Sequence, residues 1–225
     1  MVAIAEGLSD CNAHKHDLFG IRSYDIVAGC IKAAEKRPSI VSEITKKEWR
    51  ARTVIGSRYG DDRLCYLYGP TAVARGSKVF LLVGSDTVGY DSGDEMWEKD
   101  GWDIQLVVGK ATHSTDGVQN TLINWAEPKL LSQQISTHTQ DHLRELLTAG
   151  GSGILMQNDA LVFPLVVVSW KNQPFSMITC STEKGNNWVF PESIFCVGCL
   201  DPRITEWESG QILMIVHCVD GQSVF

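Results

Sequence analysis

STEKGNNW, residues 181–188, is the stretch of this chain that decides the fold. Its spacing follows the pattern Ser-x-Asp-x-Gly-x-x-Trp, which is typical of the hairpins of β-propellers. In that pattern short polar side chains hydrogen-bond the turn backbone, the glycine adopts a positive φ, and the tryptophan buries its indole beneath the hairpin. Here Ser181, Gly185 and Trp188 keep the pattern, whereas Glu183 replaces the usual aspartate and reaches its own turn less well. The alternative is an ordinary Gly-Asn hairpin followed by an unrelated tryptophan.

Short apolar runs rich in β-branched residues recur along the chain, separated by Gly, Asn and Asp. Runs of strand length with turn signals between them favour an all-β sandwich, barrel or propeller over an α/β sheet. The runs cover residues 1–5, 79–84, 104–108, 153–156, 160–168, 176–180 and 212–218. The sequence therefore predicts an all-β fold.

One short helix is predicted over residues 140–148. Leu143, Leu146 and Leu147 would share one helical face there, and Gly150 could cap the end. A second pattern, over residues 42–49, repeats the Ser and Trp spacing of the hairpin without its Asp or Gly, which indicates internal repetition.

Composition excludes several classes of protein. The chain has 225 residues and a formal net charge of −7, so it offers no basic stripe for nucleic acid. Its longest apolar run, residues 161–168, is broken by Pro164 and is too short to cross a bilayer. Residues 1–5 lack the basic start of a signal peptide, and Glu6 ends that apolar run early.

The chain contains seven cysteines, an odd number that leaves at least one without a partner in the chain. Cys196 and Cys199 have CxxC spacing, but no second CxxC and no suitably spaced histidine pair completes a zinc site. We expect a disulfide or unreactive thiols at this motif, and no metal or other cofactor.

A series of landmarks in the same order and at similar spacing resembles the trypanosome trans-sialidase and sialidase superfamily of surface glycoproteins. The hairpin described above corresponds to the Asp box, or BNR repeat, of that family. The other landmarks are MVAIAE (1–6), GPTAVARG (69–76), VFLLVG (79–84), DGWDI (100–104), GGSG (150–153), LVFP (161–164), GCLDP (198–202), EW (206–207) and VDG (219–221).

The resemblance implies that residues 1–225 form one segment of a six-bladed sialidase β-propeller, about half of its blades. It also implies truncation at both ends relative to the family, with Met1 as an internal methionine and no lectin-like C-terminal domain. Full-length members are at the cell surface or secreted, whereas this segment is expected to lack both signal peptide and anchor.

The family's chemistry requires a tyrosine nucleophile, because a carboxylate nucleophile would be repelled by the sugar's own carboxylate. A glutamate activates the tyrosine, an aspartate is the acid/base, and three arginines bind the sugar carboxylate. By position, Asp201 stands for the activating glutamate, and Cys218 stands where the second arginine is expected. The first arginine would precede Met1, and the third arginine and the tyrosine would follow Phe225.

The acid/base and substrate positions have also changed. The acid/base aspartate aligns with His14, and Asp10 or Asp17 could substitute if the loop shifts. Two residues after Glu6, Leu8 replaces an arginine that helps to bind the sugar.

Two further positions concern substrate contacts. Gly69 stands where active members place an aspartate that contacts substrate. The acceptor-site tyrosine aligns with Ser92, and Tyr90 lies two residues away as a candidate substrate-binding residue.

These departures predict that exo-α-sialidase or trans-sialidase activity is lost and that the inherited role is adhesion to sialylated glycans or host glycoproteins. One alternative is a retaining exo-α-sialidase or trans-sialidase whose full gene supplies the missing residues. Another is a pseudogene product without function. A partial propeller leaves sheet faces and strand edges uncovered, so aggregation or oligomerisation in isolation is expected.

Overall fold

The structure is a computed structural model that describes residues 1–9, 23–31, 37–47, 49–56, 58–59, 63–113, 121–135, 143–182, 185–190 and 196–218. These residues form eighteen strands, one α-helix and one 3-10 helix. The first nine strands are β1 (Val2–Ser9), β2 (Ser23–Cys30), β3 (Arg52–Ile55), β4 (Arg58–Tyr59), β5 (Arg63–Arg75), β6 (Lys78–Asp91), β7 (Met96–His113), β8 (Thr121–Trp125) and β9 (Lys129–Leu130).

The remaining strands are β10 (Leu143–Thr148), β11 (Gly151–Ser152), β12 (Ile154–Leu155), β13 (Leu161–Ser169), β14 (Pro174–Thr182), β15 (Asn187–Val189), β16 (Cys196–Val197), β17 (Cys199–Glu208) and β18 (Gln211–Cys218). Helix α1 spans Arg37–Ile44, and a 3-10 turn spans Ser132–Gln134. The seven apolar runs all lie in or across strands, so the all-β prediction is confirmed.

The strands form four sheets that follow one another along the chain. The first sheet has the order β1-β2-β3 and the second β11-β5-β6-β7-β8, with β4 and β9 paired at its margins. The third has the order β10-β13-β14-β15, with β12 and β16 added, and the fourth is the hairpin β17-β18. All strand pairs are antiparallel except β11 with β5. Antiparallel sheets arranged in chain order are the architecture of propeller blades.

Neighbouring sheets are held together by apolar cores. The core between the first and second sheets contains Ile26, Leu81 and Val83, each fully buried. Between the second and third sheets lies a larger core that includes Leu82, Leu146 and Phe163. The fourth sheet packs on the third through Cys199, Met214 and Val216. Each sheet therefore depends on its neighbour for burial, as adjacent blades do.

The predicted helix over residues 140–148 is wrong where the structure describes it, because Leu143–Thr148 is strand β10. Between Leu143 and Glu145 the pairing with β13 shifts register, which marks a β-bulge. A bulge inserts one residue and reverses the alternation of faces. Leu143 and Leu146 can therefore both be buried in a strand at a spacing of three residues, the spacing that had indicated a helix.

The α-helix found instead, α1, spans Arg37–Ile44 and contains Ser42. Ser42 to Trp49 is therefore not a second hairpin of the box type. Trp49 nevertheless anchors this segment, since its indole Nε1 donates a hydrogen bond of 3.0 Å to the carbonyl of Cys30. In the described part of the chain, no helix is long and apolar enough to span a membrane.

The hairpin of residues 181–188 shows two local features that its pattern predicts. Gly185 has a φ of +95°, and Trp188 is buried against Phe163 with ring centroids 5.5 Å apart. A Cβ on Gly185 would lie 2.5 Å from the Phe80 ring of the second sheet, so a larger residue would separate the two sheets. Glu183 lies outside the described residues.

The outer face of the fourth sheet is apolar in part. Trp207 is 70% exposed and Ile215 is 48% exposed. These side chains fit the expectation that the isolated chain aggregates or oligomerises, which stays a prediction.

Candidate functional site

Polar contacts link the four sheets in series through β1, β5, β10 and β17. The residues that make these contacts are Glu6, Gly69, Thr148, Ala149 and Arg203, and we call them the inter-sheet cluster. Gly69 belongs to the cluster, and Asp201 lies two residues before Arg203. The resemblance assigns substrate contact to the position of Gly69 and activation of the nucleophile to that of Asp201.

The first link joins β1 to β5. The backbone N–H of Gly69 donates a hydrogen bond of 2.7 Å to Glu6 Oε1. Gly69 has a φ of +59° and lies where the pairing of β5 with β6 shifts between Tyr68 and Thr71. A Cβ at this position would lie 2.5 Å from the carbonyl oxygen of Thr148, closer than real Cβ atoms approach backbone. The aspartate expected in active relatives therefore does not fit this backbone.

The second link joins β10 to β5 and β6 through the hydroxyl of Thr148. It donates to the carbonyl of Tyr68 at 3.1 Å and accepts from the N–H of Gly84 at 2.9 Å. Thr148 is 6% exposed, so its hydroxyl is shielded from water and makes its hydrogen bonds with these two backbone groups.

The third link joins β10 to β17. Arg203 Nη1 donates to the carbonyl of Ala149 at 3.3 Å and to that of Pro202 at 3.1 Å. The Arg203 side chain is exposed, and none of the described carboxylates forms an ion pair with it. A guanidinium bonded only to carbonyls keeps its charge available for an anion.

Cys218 forms a disulfide with Cys199 across the β17–β18 hairpin, at a sequence separation of 19. The disulfide expected at the CxxC motif thus forms at Cys199, but its partner is Cys218 and not Cys196. Of the other cysteines that the structure describes, Cys30 and Cys180 are free thiols. Within the described residues, no group of His, Cys, Asp and Glu has the arrangement of a metal site.

Asp201 lies on β17 with an exposed side chain and a φ of +52°. The pairing of β17 with β18 shifts between Leu200 and Arg203, so Asp201 sits in a bulge. Glu206, further along the strand, is structural: its carboxylate accepts the backbone N–H groups of Gln157 and Gly210, each at 3.0 Å. Asp201 is therefore the one of these two carboxylates that is exposed, and it lies at the start of β17.

A separate polar group lies between the second and third sheets. Tyr68 donates from its hydroxyl to Asp86 at 3.0 Å, and Lys99 bridges Asp86 at 2.8 Å and Glu145 at 3.1 Å. Burial, and then the charge of Asp86, raise the pKa of Tyr68 far above its usual value near 10. The hydroxyl of Tyr68 is therefore held in its neutral form as part of this polar group.

Tyr90, the candidate substrate-binding residue, is half-buried near the tip of the β6–β7 hairpin. Its ring packs edge-to-face on Trp97, with ring centroids 5.3 Å apart. Asp10, His14 and Asp17 lie outside the described residues, so the acid/base assignment stays a prediction.

The chain matches a known family along its whole length. The family model described as a BNR repeat-like domain matches residues 1–225. This chain belongs to the BNR repeat-like domain family. Two curated proteins from Trypanosoma cruzi are similar to it: "Sialidase 85-1.1" is 37% identical over 203 residues, and "Sialidase" is 34% identical over 150 residues. These relatives identify the BNR-repeat chain as a member of the trypanosome trans-sialidase and sialidase superfamily.

Solved structures confirm the fold class. Trypanosoma rangeli sialidase in complex with 2,3-difluorosialic acid matches with a TM-score of 0.72 at 23% identity, over 96% of this chain and 31% of that one. The Hadza microbial sialidase Hz136 matches with a TM-score of 0.58 at 14% identity, over 88% of this chain and 36% of that one. The BNR-repeat chain is thus a partial sialidase β-propeller.

The chain spans only part of its relatives. The alignments cover 89% of this chain and 27% of "Sialidase 85-1.1", and 64% of this chain and 13% of "Sialidase".

Sequence reasoning missed Arg203 and Thr148. Arg203 directly follows the landmark GCLDP, so its position beside that landmark could have identified it as a candidate site residue. Thr148 carried no such signal, because its two hydrogen bonds reach Tyr68 and Gly84, residues that are 80 and 64 positions away.

Proposed function

We propose that this BNR-repeat chain is a non-catalytic sialidase-like segment that acts at the cell surface in adhesion to sialylated glycans or host glycoproteins. The observation that carries the proposal is the disulfide of Cys218 with Cys199. Where the family's second arginine is expected, the chain has a disulfide sulfur, which has no charge and no hydrogen-bond donor. A sugar carboxylate would lose its bidentate partner at this position.

Two further features argue against turnover. Asp201 keeps a carboxylate at the position of the activating glutamate, but its side chain is one methylene shorter and its backbone is in the left-handed region. Gly69 cannot take the substrate-contacting aspartate without a clash with Thr148. Because such groups act as a unit in the transition state, the loss of one of them already removes most of the rate enhancement that the set supplies.

Adhesion needs only ground-state recognition, and the inter-sheet cluster retains a group suited to it. Arg203 is an exposed guanidinium at the start of β17, bonded only to two carbonyls among the described residues. T. rangeli sialidase is known in complex with sialic acid, an anionic sugar. We therefore assign to Arg203 the role of meeting the carboxylate of a sialylated glycan.

The test has a catalytic and a binding arm. We expect the purified chain to release no fluorophore from a fluorogenic sialoside above the buffer blank, and to bind 3′-sialyllactose saturably. Arg203→Gln should weaken that binding about tenfold or more, since it removes a charge-assisted hydrogen-bond donor. Arg52→Gln, at an exposed arginine of β3, is the matched control and should leave the affinity unchanged.

Each alternative has its own signature in this experiment. Turnover of the fluorogenic sialoside by the purified chain would support the retaining sialidase or trans-sialidase and reject the non-catalytic role. A chain that binds no sialylated glycan and shows no cooperative melt would support the product without function. Equal affinity of the Arg203 and Arg52 variants for 3′-sialyllactose would remove Arg203 from the proposal.

A further inference from the structure

The fourth sheet has one packed face and one exposed face. Met214 and Val216 are buried against the third sheet, and Ile215, which lies between them on β18, points to the opposite side and is 48% exposed. The register of β17 with β18 places further residues on that side, which we call the fourth outer face. They are Leu200, Arg203, Thr205, Leu213 and His217.

The first sheet has a corresponding outward side. Ile4 and Ile26 pack towards the second sheet, so the residues that alternate with them along β1 and β2 point the other way. We call that side the first outer face. Its residues are small, and they include Ala3, Ala5 and Gly7 of β1 and Val27 and Gly29 of β2.

The chain itself shows that the first outer face accepts a large side chain. The indole of Trp49 packs directly on Gly29, where an added Cβ would overlap the ring. Its Nε1 donates a hydrogen bond of 3.0 Å to the carbonyl of Cys30, which fixes the ring at this end of the face. Further along β1, Ala5 is exposed. One end of the face therefore holds a tryptophan of the same chain, and the part at Ala5 is open to solvent.

The two outer faces are related by the packing order of the sheets. Within the chain the first sheet packs on the second, the second on the third and the third on the fourth, each through an apolar core. The fourth outer face is thus the side on which a following sheet would pack, and the first outer face is the side on which a preceding sheet would pack. The fourth outer face and its margin present large side chains, since Leu200 is 36% exposed and Trp207 is 70% exposed. Facing layers interdigitate when large side chains on one meet small ones on the other.

We propose that copies of this chain associate head to tail, with the fourth outer face of one copy packed on the first outer face of the next. The central strands of the contact bring no charge to be desolvated, because residues 2–5 and Gln211–Cys218 contain no Asp, Glu, Lys or Arg. Since the two surfaces differ, the contact is heterologous and leaves one face of each kind for a further copy. The inference requires no glycan and is therefore independent of the proposed function.

The test uses one variant for each face, followed by sedimentation velocity over a range of concentrations. Ile215→Lys places a charge on the fourth outer face and Ala5→Lys places one on the first, both at exposed positions. We expect the mean mass of the parent to rise with concentration, and each variant to associate about tenfold or more weakly, because a lysine would be desolvated in the contact. Leu122→Lys and Ala74→Lys, at exposed positions of the second sheet, are the matched controls and should associate as the parent does.

A mixture of the two variants distinguishes this arrangement from others, once thermal melts have shown that each variant is folded. Ile215→Lys keeps an intact first outer face and Ala5→Lys keeps an intact fourth, so the equimolar mixture should form a complex of two chains and nothing larger. Association of Ala5→Lys alone with the affinity of the parent would indicate a symmetric contact between two fourth outer faces and overturn the proposal. Association that neither variant weakens, or a parent that stays monomeric at every concentration, would overturn it as well.

Discussion

Replacing both Cys199 and Cys218 by alanine tests the feature on which the functional proposal rests. The two residues are joined by a disulfide at a sequence separation of 19, and Cys199 is 2% exposed. Alanine is chosen because serine would place a hydroxyl in the apolar cluster of Met214 and Val216. The double variant removes the cross-link and leaves the β17–β18 pairing in place.

The magnitude follows from the length of the closed loop. Cross-linking a loop of this size lowers the entropy of the unfolded chain enough to stabilise the native state by about 3 kcal/mol at 25 °C. We expect Cys199→Ala/Cys218→Ala to lower the free energy of unfolding by about that amount. Cys180→Ala, at a half-buried free thiol, is the control and should change it by about 1 kcal/mol or less.

The assay is urea denaturation followed by tryptophan fluorescence, with and without dithiothreitol. The parent should lose about 3 kcal/mol when reduced, whereas the double variant should not respond to the reductant. Proteolysis without reductant, followed by mass spectrometry, should recover a peptide pair that contains Cys199 and Cys218. A cross-link between Cys196 and Cys199, or equal stability of the oxidised parent and the double variant, would refute the assignment and return Cys218 to a free thiol.

Three further predictions concern the fold and the inter-sheet contacts. Trp188→Ala should lower the free energy of unfolding, measured by urea denaturation, by about 3 to 5 kcal/mol. Trp188→Phe should lower it clearly less, because the buried indole Nε1 has no hydrogen-bond partner among the described residues. Equal losses in the two variants would contradict this. Gly69→Asp should lower the melting temperature more than Gly76→Asp, since both glycines have positive φ but only Gly69 is blocked, by Thr148; the reverse order would refute the steric argument. Because the pKa of Tyr68 is raised in the folded state, its neutral hydroxyl contributes to the free energy of unfolding. That contribution is complete below pH 10 and falls by about 1.4 kcal/mol per pH unit as the pH rises above that value. Tyr68→Phe should lack that part of the slope in alkaline denaturation, and an unchanged slope would contradict the burial of the hydroxyl.

Much of the fold was predictable because strands and hairpins depend on near neighbours in sequence. The apolar runs identified the strands, and the spacing of Gly185 and Trp188 identified a hairpin with a buried indole. The helix prediction failed at β10 for a physical reason. The register shift after Leu143 depends on the pairing with β13, which begins 18 residues later, and local periodicity contains no information about that partner.

For the candidate site, the sequence supplied predicted positions but not the contacts that these residues make. Sequence order pointed to Gly69, Asp201 and Cys218 as altered positions. It did not reveal that Cys218 pairs with Cys199, because CxxC spacing favoured a local partner. It also gave no sign that Arg203 is bonded only to carbonyls among the described residues.

By itself, then, the sequence predicted an all-β chain and a hairpin near residues 181–188, and it has a cysteine where the resemblance predicts the second arginine. Only the tertiary structure decided which cysteine closes the disulfide and why Gly69 excludes an aspartate. The reason is the range of the interactions. Turn and strand preferences act within a few residues, whereas a disulfide and a steric clash involve segments that are brought together only when the strands pair and the sheets pack.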